Sequence, residues 1–69
     1  MQKRSLTIAG HHTSLALEPE FWLGLECMAE SRGMPLTALI REIDEARTQP
    51  NLSSAVRVAV LGWYVARSR

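Results

Sequence analysis

The segment from Thr13 to Pro19 combines a strand pattern with the start of a helix. Residues 13–17 alternate polar and apolar side chains, which is the period of a strand with one buried face. Pro19 breaks that period, because its ring fixes φ near the helical value and a first helical position needs no N–H donor. Residues 21–25 follow with the apolar spacing of a helix. The sequence therefore predicts a short strand running directly into a helix, and that strand needs a partner strand.

Chain length limits where the partner strand can come from, because 69 residues make a single small domain. Domains of this size usually need a disulfide, a metal or oligomerisation. Cys27 is the only cysteine, which excludes an internal disulfide and predicts a cytoplasmic protein with a buried, unreactive thiol. Cys27, His11 and His12 lack the spacing of a zinc site, so neither a metal nor a cofactor is expected. Oligomerisation remains, and a homodimer is expected, with a higher oligomer as the alternative.

Charge is distributed unevenly, although the net charge is only +1. All seven acidic residues lie between positions 18 and 45, where only Arg32 and Arg41 oppose them. Any surface that meets nucleic acid should therefore be built from the ends of the chain. Residues 56–65 form the most apolar stretch, which is too short to span a bilayer, so no membrane association is expected. The basic residues of the two flanks are Lys3, Arg4, Arg47, Arg57, Arg67 and Arg69.

A second alternating segment precedes the first, and strands are predicted over about residues 4–9 and 12–17. Apolar positions are even-numbered in the earlier strand and odd-numbered in the later one. This change of parity indicates a hairpin, with one long strand bulged at Gly10 as the alternative. A type II′ turn with glycine first would occupy Gly10 and His11 and pair residues whose numbers add to 21. That register sets Leu6 opposite Leu15, Ile8 opposite Thr13 and Lys3 opposite Glu18.

Three helices are predicted after the strands, over about residues 19–32, 35–47 and 52–67. The first two have an apolar stripe and a charged back, and Gly33 can end the first in the left-handed conformation. Residues 51–54 offer caps for the third helix. That helix is apolar nearly all round, so it should be buried on most sides, packing across a dimer or joining dimers. Trp22 and Trp63 are expected to anchor a core or an interface.

The order strand, helix, glycine, helix resembles the ribbon-helix-helix superfamily. Residues 13–17 lead into the first helix as in that superfamily, and residues 33–40 open the second. Residues 3–11, 17–22 and 51–55 are similar to short stand-alone bacterial members, so the resemblance covers nearly the whole chain. It implies a mostly α fold with a small N-terminal β ribbon and an additional C-terminal helix. It also implies a two-fold dimer in which strands of two chains pair antiparallel.

The same resemblance implies a dimeric DNA-binding protein, a transcription regulator whose β ribbon enters the major groove. The start of the second helix would offer amides to a phosphate. The base-facing residues would be His12, Ser14 and Ala16. The phosphate-contacting residues would be Lys3, Arg4, His11, Pro35, Leu36 and Thr37. The dimer interface would contain Leu15, Leu17, Trp22, Leu39, Ile40, Val56, Val60 and Trp63.

A second function remains open, a protein-interaction or assembly module on the same fold. Ala16 cannot hydrogen-bond to a base, and Pro35 has no amide to donate. His11 and His12 point to opposite faces of a strand, so a turn or surface role, a nucleic-acid contact and metal binding are alternatives. No nucleophile–histidine–acid motif or glycine-rich phosphate loop occurs, so an enzyme is not expected.

Overall fold

A two-stranded antiparallel hairpin is followed by three helices. The computed structural model describes residues 1–48 and 50–68. The elements are β1 (Gln2–Ile8), β2 (His11–Leu17), α1 (Pro19–Ser31), α2 (Leu36–Ala46) and α3 (Leu52–Arg67). This confirms the predicted fold class, a mostly α ribbon-helix-helix arrangement with an N-terminal hairpin and an additional C-terminal helix. The connection is a hairpin and not a bulged single strand, and β1 begins two residues earlier than predicted.

The turn of the hairpin lies at Ala9 and Gly10, one residue before the predicted position. Both residues have positive φ, 53° and 81°, which is the signature of a type I′ turn whose twist matches that of the strands. The observed register pairs residues whose numbers add to 19, so the predicted register is wrong by two residues. The pairs are Gln2–Leu17, Lys3–Ala16, Arg4–Leu15, Ser5–Ser14, Leu6–Thr13, Thr7–His12 and Ile8–His11.

Trp22 explains the observed register from beneath the sheet. Its indole Nε1 donates a hydrogen bond of 2.8 Å to the carbonyl oxygen of Gln2. The guanidinium of Arg4 lies 4.3 Å from the centroid of the Trp22 ring and donates to Glu26 at 2.9 Å. A shift of two residues would move Gln2 and Arg4 away from these partners. The predicted register matched apolar side chains across the strands and missed these contacts with α1.

The core is closed within the single chain. Leu15 and Leu17, which were predicted to lie at a dimer interface, are 2% and 0% exposed in the single chain. The chain exposes 4543 Å² in total, against about 4,300 Å² expected for a folded monomeric protein of this mass. The predicted interface residues that are instead buried in the chain's own core are Leu15, Leu17, Trp22, Leu39, Ile40, Val56 and Val60, while Trp63 packs partly buried against it.

This packing corrects the predicted interface, because side chains with almost no exposed surface offer none to a partner. Their burial follows from the predicted pairing of β1 with β2 and from the packing of α3 onto the core, which was not predicted. β1 covers one edge of β2, and α3 brings Val56 and Val60 onto the core. Among the described residues, no buried side-chain nitrogen or oxygen atom lacks a hydrogen-bond partner.

Helices α1 and α3 approach closely at Gly24. A Cβ atom at this position would lie 2.8 Å from Cγ1 of Val60 and 3.2 Å from Cε2 of Tyr64, so a larger residue would force the helices apart. Cys27, one turn further along α1, is exposed, which corrects the prediction that it is buried. A hydrogen bond with the Cys27 thiol raises the pKa of Tyr64.

Only part of the apolar surface of α3 is buried by the chain. Ala55, Val56 and Val60 face the core. Val58, Leu61 and Val65 are 55%, 60% and 48% exposed. These three residues form what we call the α3 stripe, on the side of the helix that faces away from the core. The expectation that this helix is buried on most sides is therefore not met within one chain.

Glu18 connects the end of β2 to α3. It is the N-cap residue of α1, and its carboxylate accepts hydrogen bonds from Arg57 at 2.9 and 3.3 Å. The Arg57 guanidinium lies 5.9 Å from the centroid of the Phe21 ring. The hydrogen bond from Arg57 holds the pKa of Glu18 below its ordinary value.

We expect this pair to make stability depend on pH in the acid range. A lowered pKa gives stability that is fully present above the unfolded pKa, near 4.3, and is lost as the pH falls through the folded pKa. Glu18→Gln should therefore show a smaller fall in Tm between about pH 6 and about pH 3 than the unmodified chain. Thermal unfolding followed by circular dichroism would measure this, with Glu30→Gln as the control. A parallel fall in Tm for the original chain and Glu18→Gln would contradict the prediction.

Candidate nucleic-acid interface

The face of the hairpin that points away from the helices carries small polar and basic side chains. Strand periodicity places Lys3, Ser5 and Thr7 of β1 on this face. The register sets them opposite the three predicted base-facing residues of β2. We call this set the outward face: Lys3, Ser5, Thr7, His12, Ser14 and Ala16. All six are exposed except Ala16, which is half-buried.

The outward face can donate and accept hydrogen bonds at several points. The Thr7 hydroxyl lies 3.2 Å from Nδ1 of His12, so these two side chains form a polar pair near the turn. Ser5 and Ser14 lie directly opposite each other and bring two hydroxyl groups together. Hydroxyl groups both donate and accept, which suits them to contact several kinds of base edge.

Arg4 and His11 were predicted to contact phosphate together with Lys3, but they do not belong to the outward face. Arg4 lies on the opposite side of β1, where Trp22 and Glu26 hold its guanidinium. His11 follows the turn, exposed, on the same side of the sheet as Leu15. Strand alternation alone accounts for this separation, because neighbouring residues point to opposite faces.

The start of α2 lies beside the turn end of β1. An open groove of about 290 Å³ is lined by residues 7–9 of the hairpin and by residues of α2, which are Thr37, Ala38, Arg41, Glu42 and Glu45. Two carboxylates therefore share this groove with one guanidinium group. Pro35 is the N-cap residue, so its missing N–H does not remove a donor from the first helical turn, which begins at Leu36. Within the described chain no side chain caps this helix end, which leaves its first amides open to an anion.

Acidic residues neutralise much of the predicted basic surface. These acidic residues form exposed ion pairs with the basic side chains, and such pairs contribute about 0–1 kcal/mol each to stability. A phosphate can therefore compete for the basic side chain where geometry allows. Lys3 is, among the described residues, the one lysine or arginine on the outward face. Three arginines of the flanks form ion pairs with acidic residues from the middle of the chain. The pairs are Arg4 with Glu26 at 2.9 Å, Arg47 with Asp44 at 2.8 Å and Arg57 with Glu18 at 2.9 Å.

Other kinds of site are not supported by the described part of the chain. Residues 1–48 and 50–68 contain no group of three histidine, cysteine, aspartate or glutamate side chains able to hold a metal ion. None of the helices in those same ranges has both the length and the apolar character needed to cross a membrane.

Sequence reasoning missed three residues of this region. Ser5 and Thr7 share the outward face with Ser14, and the alternation of β1 is the signal that could have identified them. Only residues of the second strand were predicted to face the DNA bases. Arg41 belongs to the charged back predicted for the second helix, and its place beside residues 7–9 of the hairpin follows only from the packing of α2 against β1. No pattern in the sequence shows that contact.

Comparison with known proteins supports the arrangement seen in the structure. A family model described as a ribbon-helix-helix domain matches residues 1–64. No curated protein and no solved structure showed a significant match. Ribbon-helix-helix domains are generally found in DNA-binding transcription regulators, which typically dimerise, and they are typically not enzymes. With its hairpin, its helix pair and a family match over nearly the whole chain, this protein belongs to the ribbon-helix-helix family.

Proposed function

We propose that the protein binds double-stranded DNA through the outward face of its hairpin and acts as a dimeric transcription regulator in the cytoplasm. The observation that carries the proposal is the chemistry of that face. Lys3 and hydroxyl-bearing side chains cover it, and the open start of α2 lies beside it. A two-stranded β ribbon fits the major groove, and the α2 amides would then contact a flanking phosphate.

Few cations face the DNA, so few phosphates are neutralised and affinity should fall only modestly with salt. Lys3→Ala should weaken binding to all duplexes and reduce the salt slope by about one. Fluorescence anisotropy with a labelled duplex at low and moderate salt would measure both quantities. Arg67→Ala is the matched control, because it removes the same charge from a residue that contacts Trp63 and Ser31.

Two outcomes of this measurement would count against the proposal. Absence of binding to any duplex at about 50 mM salt, where phosphate-driven affinity is strong, would exclude DNA as the ligand. Equal losses for Lys3→Ala and Arg67→Ala would show that binding follows total charge and does not use the outward face.

We further propose that the homodimer forms through the α3 stripe. Val58, Leu61 and Val65 are spaced i, i+3 and i+7, which is the a–d–a spacing of a helix pair. Valine at a with leucine at d favours two helices. The stripe carries no charge, so the same stripe on a second copy is a suitable partner. Three side chains cover much less than the roughly 800 Å² per partner of a stable complex, so the dimer should be weak.

The second candidate function, an assembly module, is favoured by one observation. The most apolar exposed surface lies on α3 and not on the hairpin, so self-association does not require DNA. The two functions make different demands on the protein. An assembly module needs the α3 stripe alone, whereas a regulator needs the outward face as well.

A further inference from the structure

We propose that His12 is a proton-dependent DNA contact, which binds a duplex more tightly as an imidazolium than as a neutral ring. His12 is exposed and belongs to the outward face, where it lies directly opposite Thr7. The proposal rests on the DNA-binding function proposed above. It adds to that function a dependence on pH in the neutral range, located at one named side chain.

Few charges lie on the outward face. Lys3 is, within the described part of the chain, its one lysine or arginine, and no acidic side chain shares the face. Histidine side chains ordinarily change their charge between about pH 5 and about pH 8, a range in which lysine, arginine and carboxylate side chains ordinarily keep theirs. Protonation of His12 therefore adds a second positive charge to a face that otherwise presents only the charge of Lys3.

The hydrogen bond between His12 and Thr7 is compatible with both charge states of the ring. The Thr7 hydroxyl lies 3.2 Å from Nδ1 of His12. A hydroxyl group can donate to an unprotonated ring nitrogen, and it can equally accept from a protonated one. The pair therefore persists when the ring gains a proton, and the imidazole keeps its place on the surface. Nε2 is left as the ring nitrogen that can contact DNA.

Protonation determines what Nε2 can bind. In a neutral imidazole one nitrogen donates and the other accepts, whereas in the imidazolium both donate, so that Nε2 needs an acceptor. DNA offers acceptors at its phosphate oxygens and, in the major groove, at O6 and N7 of guanine. A hydrogen bond from a charged donor is stronger than one from a neutral donor. The imidazolium should therefore bind the duplex more tightly than the neutral ring.

The charged groups around His12 leave this change to the DNA. An open groove of about 510 Å³ beside the turn is lined by His12 and by five other charged or titratable residues: His11, Arg41, Asp44, Glu45 and Arg47. Four of these form two ion pairs, which are Arg41 with Glu45 at 3.2 Å and Arg47 with Asp44 at 2.8 Å. Each pair is neutral as a whole, so the phosphates of a bound duplex supply the negative charge that favours the imidazolium.

Lys3 opposes the protonation of His12 only weakly. It lies four positions from Thr7 along β1, which corresponds to about 14 Å. This distance exceeds the screening length of about 10 Å at 0.1 M salt. The two positive charges can therefore be present on the outward face together.

His11 offers a matched comparison within the same chain. It is the neighbouring residue and is also exposed, but it lies on the opposite side of the sheet from His12. The two histidines carry the same titratable group, and only one of them faces the DNA in the proposed complex. A pH effect that comes from the outward face should therefore depend on His12 and not on His11.

Fluorescence anisotropy with a labelled duplex at about pH 8 and about pH 6 tests the proposal with the full-length chain. The affinity of the original chain should rise about threefold or more as the pH falls between these values, and its salt slope should increase by about one per chain. His12→Gln should lose both changes, because glutamine keeps hydrogen-bonding groups but takes up no proton. His11→Gln is the matched control and should retain both.

Proton uptake provides a second measurement on the same complexes. If the protonated ring binds more tightly, linkage requires that DNA binding takes up protons near neutral pH. A pH indicator in a weakly buffered solution should report this uptake when duplex is added to the original chain or to His11→Gln. The uptake should be clearly smaller for His12→Gln.

The outcomes separate this inference from the proposed function. Equal affinity of the original chain at the two pH values would overturn the inference while the function stands. The same holds if His12→Gln keeps the pH dependence of the original chain, or if His11→Gln loses it instead. If the original chain binds no duplex at either pH, the proposed function fails, and the role of His12 with it. Circular dichroism at both pH values checks that each variant is folded.

Discussion

Replacing Trp22 by alanine is expected to unfold much of the protein at room temperature. The side chain is 1% exposed and is among the largest that the chain buries completely. Removing a buried tryptophan costs about 3–5 kcal/mol. A chain of 69 residues has a total stability of about 3–10 kcal/mol. The variant also loses the hydrogen bond to Gln2 and the stacking of Arg4, both of which hold the hairpin in register.

Urea unfolding followed by circular dichroism would measure the loss for Trp22→Ala. Trp63→Ala is the matched control, because it removes the same side chain from a partly buried position and should cost clearly less. Similar midpoints for the two variants would show that Trp22 is not the centre of the core. An unchanged midpoint for Trp22→Ala would contradict the structure itself.

Replacing Leu61 by lysine is expected to abolish self-association through the α3 stripe. Leu61 is 60% exposed, so the substitution costs the folded monomer little. In the proposed dimer it would place two ammonium groups in an apolar seam, and the dissociation constant should rise at least about tenfold. Sedimentation velocity at increasing protein concentration would measure this constant.

Leu23→Lys is the control for the Leu61 variant. Leu23 is 62% exposed and lies on α1, outside the α3 stripe, so this change should leave self-association unaltered. If both variants dissociate alike, exposed apolar surface in general drives association. If the original chain remains monomeric at millimolar concentration, no homodimer forms through this stripe.

The sequence predicted the order and type of the elements because each carries a local signal. Alternation marks the strands, while Pro19 and Gly33 mark where α1 begins and ends. The hairpin register was harder to predict because it depends on contacts between distant residues. Ala9 adopts a positive φ that alanine rarely takes, so its residue type does not mark it as a turn position. A rule based on turn residues alone selects Gly10 and His11.

Only part of the candidate site could be predicted, because only part of it follows from local patterns in the sequence. Strand alternation places His12, Ser14 and Ala16 on one face, and the family resemblance singled out that face. Neither strand alternation nor the family resemblance could show that Trp22 and Glu26 hold Arg4 beneath the sheet. The predicted interface residues were chosen for their apolar character, which a core and an interface share. Only the packing of α3 distinguishes the two.

The pairing of flanking arginines with acidic residues has a kinetic consequence. Arg4, Arg47 and Arg57 each lie beside a carboxylate, so their fields largely cancel at a distance. A protein with net charge +1 then gains little long-range attraction towards a duplex. Association should proceed at about 10⁵–10⁶ M⁻¹s⁻¹, the range of encounters without electrostatic steering. Differences in occupancy between DNA sites would then arise mainly from how long each complex lasts.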